Sequence, residues 1–267
     1  MTSSDTSAGG SVQAVYHRHL GPLFFEPYAR DLARRLPTTP GSRVLELACG
    51  TGILTAALVV SFDRSTEITS TDSNEVMIEM ARSHVRSPCV RWQTADATDL
   101  PFADRAFDLV VCQYGVMFFP DKIAAAHQVR RVLRAGGEWW FNVWGALHEN
   151  PIVRVANETI DRFFASDPPT LYQVPFGYSD RRRIADDLRR GGFDEVTIET
   201  VDLQGRAPSA EHAAIGLVFG NPVIHAIRER GTGTPEDVVR AVATAIGREF
   251  GPGELRVPMR AHAVCAR

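Results

Sequence analysis

The sequence predicts an α/β fold, a doubly wound sheet in which strands alternate with helices. Three observations carry that prediction. The stretch RVLELACGTG at 43–52 runs straight into ILTAALVVSF, so a compact apolar run, a turn of small residues and a helical run follow one another. An acid, Asp72, ends a second strand-like run twenty positions after Gly52, the spacing of doubly wound nucleotide folds. Apolar runs then keep alternating with helical patterns as far as residue 144, which implies right-handed crossovers and parallel strands.

The first of these stretches organises the rest. Arg43–Leu47 reads as a strand buried on both faces. Ala48, Gly50 and Gly52 leave the following turn almost without side chains, so a ligand can approach the backbone closely. The helix that follows aims amide groups and a positive end at that ligand. Glu46 narrows the choice of ligand. A carboxylate one turn away repels a pyrophosphate but suits a ligand carrying an ammonium or sulfonium cation. The pattern acid-x-small-x-Gly-x-Gly resembles motif I of the class I S-adenosylmethionine (SAM) dependent methyltransferases. Ala48 stands where that family usually has its first glycine.

Bulk properties exclude several classes. The chain has 267 residues, 44% hydrophobic and 23% charged, with a formal net charge of −3. These values are ordinary for a globular protein and ask for no polyanionic partner. Lys122 is the only lysine among 29 basic residues. The densest basic cluster, Arg181–Arg183, opens a helix that also carries Asp186 and Asp187, a solvated face. Cys49, Cys89, Cys112 and Cys265 have no spacing of a metal site or disulfide framework, which fits a reducing cytoplasm. No apolar run is long enough to span a membrane, and the N-terminus does not read as a secretory signal.

In chain order, residues 1–11 are small and polar and read as a disordered tail, leaving 12–267 as a single domain. Residues 12–36 are amphipathic, broken by Pro22 and Pro27 into short helical pieces. Their aromatic and imidazole side chains either pack the segment down or form a flap with Tyr16 or Phe25 near a sulfonium, where cation–π attraction favours an aromatic face. The run at 65–72 reads as the second strand. Asp72 at its tip offers paired oxygens to two ribose hydroxyls. Ser73 beside it is grouped with the cofactor contacts, while Ser73 or Asn74 caps the next helix. Cys89–Thr94 and Phe107–Gln113 read as third and fourth strands. Asp96 and Ala97 are placed to meet the amine and a ring nitrogen of adenine. Asp99 and Asp108 read as residues that fix turns.

The blocks DATDLPF with FD at 107–108, and RVLRAGGEWWF, resemble the ubiquinone/menaquinone-biosynthesis type of methyltransferase, so the likeness covers about 43–144. That branch implies that Gln113 faces the methionyl end of the cofactor. A helix from Asp121 stops at Gly136-Gly137, and Glu138–Trp144 is a fifth strand. Beyond it, Pro151–Ala165 and Ser179–Arg190 read as helices, the proline-rich 167–178 as a loop, and 193–203 and 257–265 as closing strands. The resemblance implies a Rossmann-like seven-stranded sheet, mostly parallel with the last strand antiparallel. Residues 145–177 and 208–250 are expected to form a helical cap closing an acceptor pocket.

The expected activity is transfer of a methyl group from SAM, leaving S-adenosylhomocysteine, to a small organic acceptor by O- or C-methylation. No Asn-Pro-Pro-aromatic tetrad follows the fourth strand, where CQYGVMFF stands instead, which argues against a nucleic-acid base or amide nitrogen as acceptor. No metal site is expected. His17, His19, His148 and Tyr114 are the candidates for a base, and none is singled out. A non-catalytic SAM-binding module and a dinucleotide-binding oxidoreductase are the alternatives, and an oligomer is open.

Overall fold

The structure is a computed structural model that describes residues 11–37, 39–170 and 172–267. The tail expected at 1–11 therefore lies outside the described residues, apart from Ser11. Ser11 caps helix α1, Val12–Val15, by accepting the Ala14 N–H. The chain divides into two compact units: a sheet unit of 28–146, 175–201 and 261–267, and a helical unit of residues up to 27, 147–174 and 202–260.

In the sheet unit, seven strands lie in the order β3-β2-β1-β4-β5-β7-β6. They are β1 Arg43–Leu47, β2 Glu67–Asp72, β3 Val90–Thr94, β4 Phe107–Gln113, β5 Leu133–Trp144, β6 Val196–Ala207 and β7 Leu255–Ala266. β6 and β7 each contribute residues to both units. β1 pairs in parallel with β2 and β4, β2 with β3, and β4 with β5, whereas β7 runs antiparallel to β5. This is the mostly parallel, doubly wound sheet with an antiparallel last strand that the sequence implies. Central strands buried on both faces need continuous apolar runs, and Val44, Leu45 and Leu47 with Leu109–Cys112 supply them. Helices α2 Glu26–Arg35 and α3 Ile53–Ser61 add Leu32, Leu54 and Leu58 to the cluster around Val44, Ile68 and Val111, which Leu36 just after α2 joins. Asn74 caps helix α4, Glu75–His84, by accepting the Val76 N–H.

Two boundaries differ from expectation. Helix α5, Lys122–Val132, ends before the glycine pair, and Leu133 already pairs with Phe107 at the start of β4. Asp108 explains this: its carboxylate accepts from the Arg134 guanidinium and from the Arg43 N–H, tying the starts of three strands together. Pro22 does not break the N-terminal segment. Residues Tyr16–Phe25 wind as a wider π-helix in which the Glu26 N–H reaches back five residues to Gly21 O. The missing proline N–H is absorbed by the wider turn rather than by a gap. Residues 167–178 also hold one short helix, α7 Gln173–Phe176, and α8 is Arg181–Arg190.

The helical unit contains that π-helix with α6 Pro151–Asp161, α9 Ala210–Phe219, α10 Val223–Arg230 and α11 Pro235–Phe250. Thr234 starts α11 with a reciprocal capping box to Asp237. Asn150 bonds both ways with the Arg260 backbone, and Arg260 forks onto Asp202 and Glu149. No helix among the described residues is long and apolar enough to cross a membrane.

Candidate functional site

Nine of the ten residues expected at the cofactor lie in the sheet unit, at one end of four adjacent strands. Leu47 pairs with Cys112, so Ala48 and Gln113 leave the sheet side by side. Asp72 pairs with Thr94, which places Asp96 just past the neighbouring strand tip. Tyr16 belongs to the helical unit, where its ring stacks on Phe25 with centroids 4.7 Å apart.

The turn after β1 is wound in the left-handed region. Ala48, Gly50 and Gly52 have φ of 51°, 54° and 85°. For the glycines that conformation is free, whereas Ala48 carries the steric cost of its Cβ. The turn is held by Cys49 N–H to Thr71 O and by Gly52 N–H to Cys49 O, both 2.9 Å. A third bond is the informative one: Gly50 N–H donates to Asp72 Oδ2 at 2.9 Å. Asp72 Oδ1 accepts from Asn74 N–H at 2.9 Å. Each oxygen keeps a further lone pair, so two hydroxyl donors can be accepted without breaking either bond.

Glu46 sits beneath the turn, fully buried, not on its surface. The side chains of Thr55 and Ser70 each donate to its Oε2 at 2.6 Å, and Oε1 has no partner among the described residues. Burial pushes this acid up to about 7, with the nearby Asp72 adding to the rise and the two hydroxyls opposing it. A direct salt link from Glu46 to a ligand on the surface of the turn is thus not what the geometry offers. Desolvation also pushes the Cys112 thiol up to about 12 and holds Cys49 higher still, so both are inert packing groups.

At the third strand tip, Asp96 is exposed and accepts from the N–H and hydroxyl of Thr98, which hold its carboxyl below the usual range. Asp99 closes this turn with its N–H to Asp96 O at 3.1 Å. Ser73 is exposed and Ala97 half-buried. Beyond Gln113, Tyr114 has φ of 51° and its ring lies on Trp144, centroids 3.7 Å apart and planes at 10°. Tyr28 and Phe176 flank that stack edge-on and in parallel. This aromatic wall went unread in the sequence, because Tyr28, Tyr114, Trp144 and Phe176 are far apart in the chain and share no spacing.

The candidate bases are not brought together. In the helical unit, His19 Nδ1 lies 3.0 Å from His212 O and the two rings are tilted at 36° with centroids 4.0 Å apart. Burial holds both histidines below their usual range, and they pack against each other. His148 is exposed in a short turn, and Tyr114 is buried in the stack. Phe118 is 58% exposed and lines no closed wall.

A parallel sheet with a small-residue turn at its switch point and acids on successive strand tips defines a class I methyltransferase fold. The comparisons agree. Residues 44–137 match the methyltransferase domain family. A demethylmenaquinone methyltransferase of Lactobacillus johnsonii is 26% identical over 190 residues, covering 66% of this chain and 78% of that one. One from Staphylococcus aureus is 36% identical over 131 residues, 48% and 54% of the two chains. An Idiomarina loihiensis ubiquinone/menaquinone biosynthesis C-methyltransferase is 29% identical, and the chain spans only 64% of its length. In structure, the YcgJ protein from Bacillus subtilis superposes with a TM-score of 0.59 at 18% identity, over 90% of this chain and 97% of that one. Haemonchus contortus phosphoethanolamine N-methyltransferase 2, solved with SAM, gives 0.60 at 14% identity over 96% and 56%. Residues 44–137 thus match a methyltransferase domain, and the chain is similar to methyltransferases of ubiquinone and menaquinone biosynthesis over 48–66% of its length. The dinucleotide alternative is not supported.

Proposed function

We propose that the protein methylates a small organic acceptor, with C-methylation of a quinone-type ring as the first chemistry to test and O-methylation as the second. The relatives named for C-methylation and for demethylmenaquinone support the acceptor class. The cofactor reading rests on one observation, the carboxylate of Asp72 bridging the turn at Gly50 and the start of α4 with lone pairs to spare. In this reading Asp72 accepts from ribose hydroxyls, the Asp96–Ala97 turn and Ser73 border adenine, and Gln113 orients the methionyl end. SAM, when bound, supplies the methyl group as a sulfonium. The chain contributes alignment and exclusion of water, with the bare backbone at Ala48–Gly52 setting the approach. No fixed proton acceptor is assigned, because an activated ring carbon or phenolic oxygen needs little help.

Titration with SAM, S-adenosylhomocysteine and NAD tests the cofactor; saturable binding of the first two and none of the third is expected. Methyl transfer from labelled SAM to demethylmenaquinone and to simple phenols tests the acceptor. Binding without transfer to any acceptor leaves a non-catalytic SAM-binding module. Tyr16 as a cofactor contact is a separate proposal, checked by whether Tyr16→Ala lowers SAM affinity. Reduced thiols at all four cysteines accord with a cytoplasmic location, which fractionation would test.

A further inference from the structure

The opposite end of the sheet holds a feature that methyl transfer does not use. Where β4 and β5 begin, a surface cavity of about 500 Å³ opens between the 104–105 turn, α5, the first residues of β5 and Gly191-Gly192. That volume is in the range of small-molecule sites. Its rim is basic. Arg105, Arg130 and His127 line it and are exposed. Among the described residues, neither Arg105 nor Arg130 has an acidic partner. The one acid in the lining, Asp104, is already taken by Arg131 at 2.9 Å.

The frame around these groups is rigid. Arg131 spends its guanidinium on the carbonyls of Leu100 and Phe102, on Gln128 and on Asp104, and so clamps the loop. Arg105 is held by its N–H to Arg131 O at 2.9 Å in a left-handed conformation, φ 56°, that non-glycine residues rarely adopt. Arg130 Nε donates to Gly192 O at 3.2 Å, and its two terminal nitrogens have no hydrogen bond among the described residues. Strain of this kind persists where the surroundings over-determine it, and it concentrates at binding sites.

We propose that this cavity is a second binding site, for a small molecule carrying a phosphate or diphosphate group. Two guanidinium forks without an acidic partner match the geometry and charge of phosphate oxygens, and the His127 ring offers a further nitrogen donor. The floor at Gly191-Gly192 presents backbone without side chains. The site is independent of the cofactor reading, because it lies where β4 and β5 start, beside the Phe107–Leu133 pair, while the turn follows the far ends of the strands.

The test is calorimetric titration of the full chain with inorganic pyrophosphate and, in parallel, with a sugar phosphate, at 0.15 M salt. Saturable one-to-one binding of either, with Kd below about 1 mM, is expected. Arg105→Gln and Arg130→Gln should each weaken it about tenfold or more, with melting temperature and SAM affinity unchanged. The tighter of the two probes tells free phosphate from an ester. No saturation with either probe overturns the proposal. So does binding that both variants leave intact, or binding lost only together with SAM affinity.

Discussion

The methyl group of Ala48 fills the space in which a side chain at Gly115 would begin: a Cβ built there would lie 2.5 Å from Ala48 Cβ and 2.6 Å from Cys112 Sγ. The turn after β1 and the turn after β4 are therefore fitted to each other. Gly115→Ala should destabilise the protein by about 1–3 kcal/mol through overpacking. Ala48→Gly should recover part of that loss in the double variant. By itself it should be neutral or stabilising by up to about 1 kcal/mol, since it relieves a left-handed alanine. Urea denaturation of the four proteins in a double-mutant cycle measures the coupling, and additive effects would mean that the turns do not touch.

Asp72→Ala removes the acceptor of the Gly50 N–H and the paired oxygens at the β2 tip. SAM affinity should fall by about 1–3 kcal/mol, the range for lost hydrogen bonds to a charged group. Asp72→Asn, which keeps one carbonyl acceptor, should lose less. Calorimetry on both variants decides it, and unchanged affinity would remove the ribose assignment.

Glu46 makes stability depend on pH in an unusual direction for an acid. Its folded value is raised from 4.5 to about 7, so the native state holds the proton more tightly than the unfolded chain. The contribution is fully present below pH 4.5 and is lost as pH rises through 7. The span corresponds to about 3 kcal/mol at most. Glu46→Gln, a mimic of the protonated acid, should flatten melting temperature between those limits and raise it above pH 7. A wild-type melting temperature that climbs steadily across the window would contradict this.

Trp144 anchors the aromatic wall behind Gln113 and is 4% exposed. Trp144→Ala should cost about 3–5 kcal/mol, whereas Trp144→Phe, which retains a ring facing Tyr114, should cost less than half of that. Thermal or urea unfolding separates the two. Equal losses would show that the stack adds nothing beyond volume.

The sheet and its turn were legible because they obey local rules. Apolar runs mark Val44–Leu47 and Leu109–Cys112, and left-handed torsions require small residues at 48, 50 and 52. What escaped was set by partners distant in sequence. Gly136-Gly137 carries a helix-stop pattern, yet the chain, held by the bond from Arg134 to Asp108, enters β5 five residues earlier than expected, at Leu133 rather than Glu138. Pro22 carries a helix-break pattern, yet a π-helical turn accommodates it. Glu46 was legible as an acid beside a ligand turn, but not as one closed beneath it. That outcome depends on Thr55 and Ser70 reaching the same oxygen.

The placement of β7 bears on how the chain is born. This strand lies between β5 and β6 although it comprises residues 255–266 of 267. Until residues 255–266 have been made, β5 has a vacant edge, its rows of amides and carbonyls facing no mate. β6 emerges earlier yet has nothing to dock on. Completion of the sheet awaits β7, and a chain clipped ahead of this strand exposes that edge to other proteins.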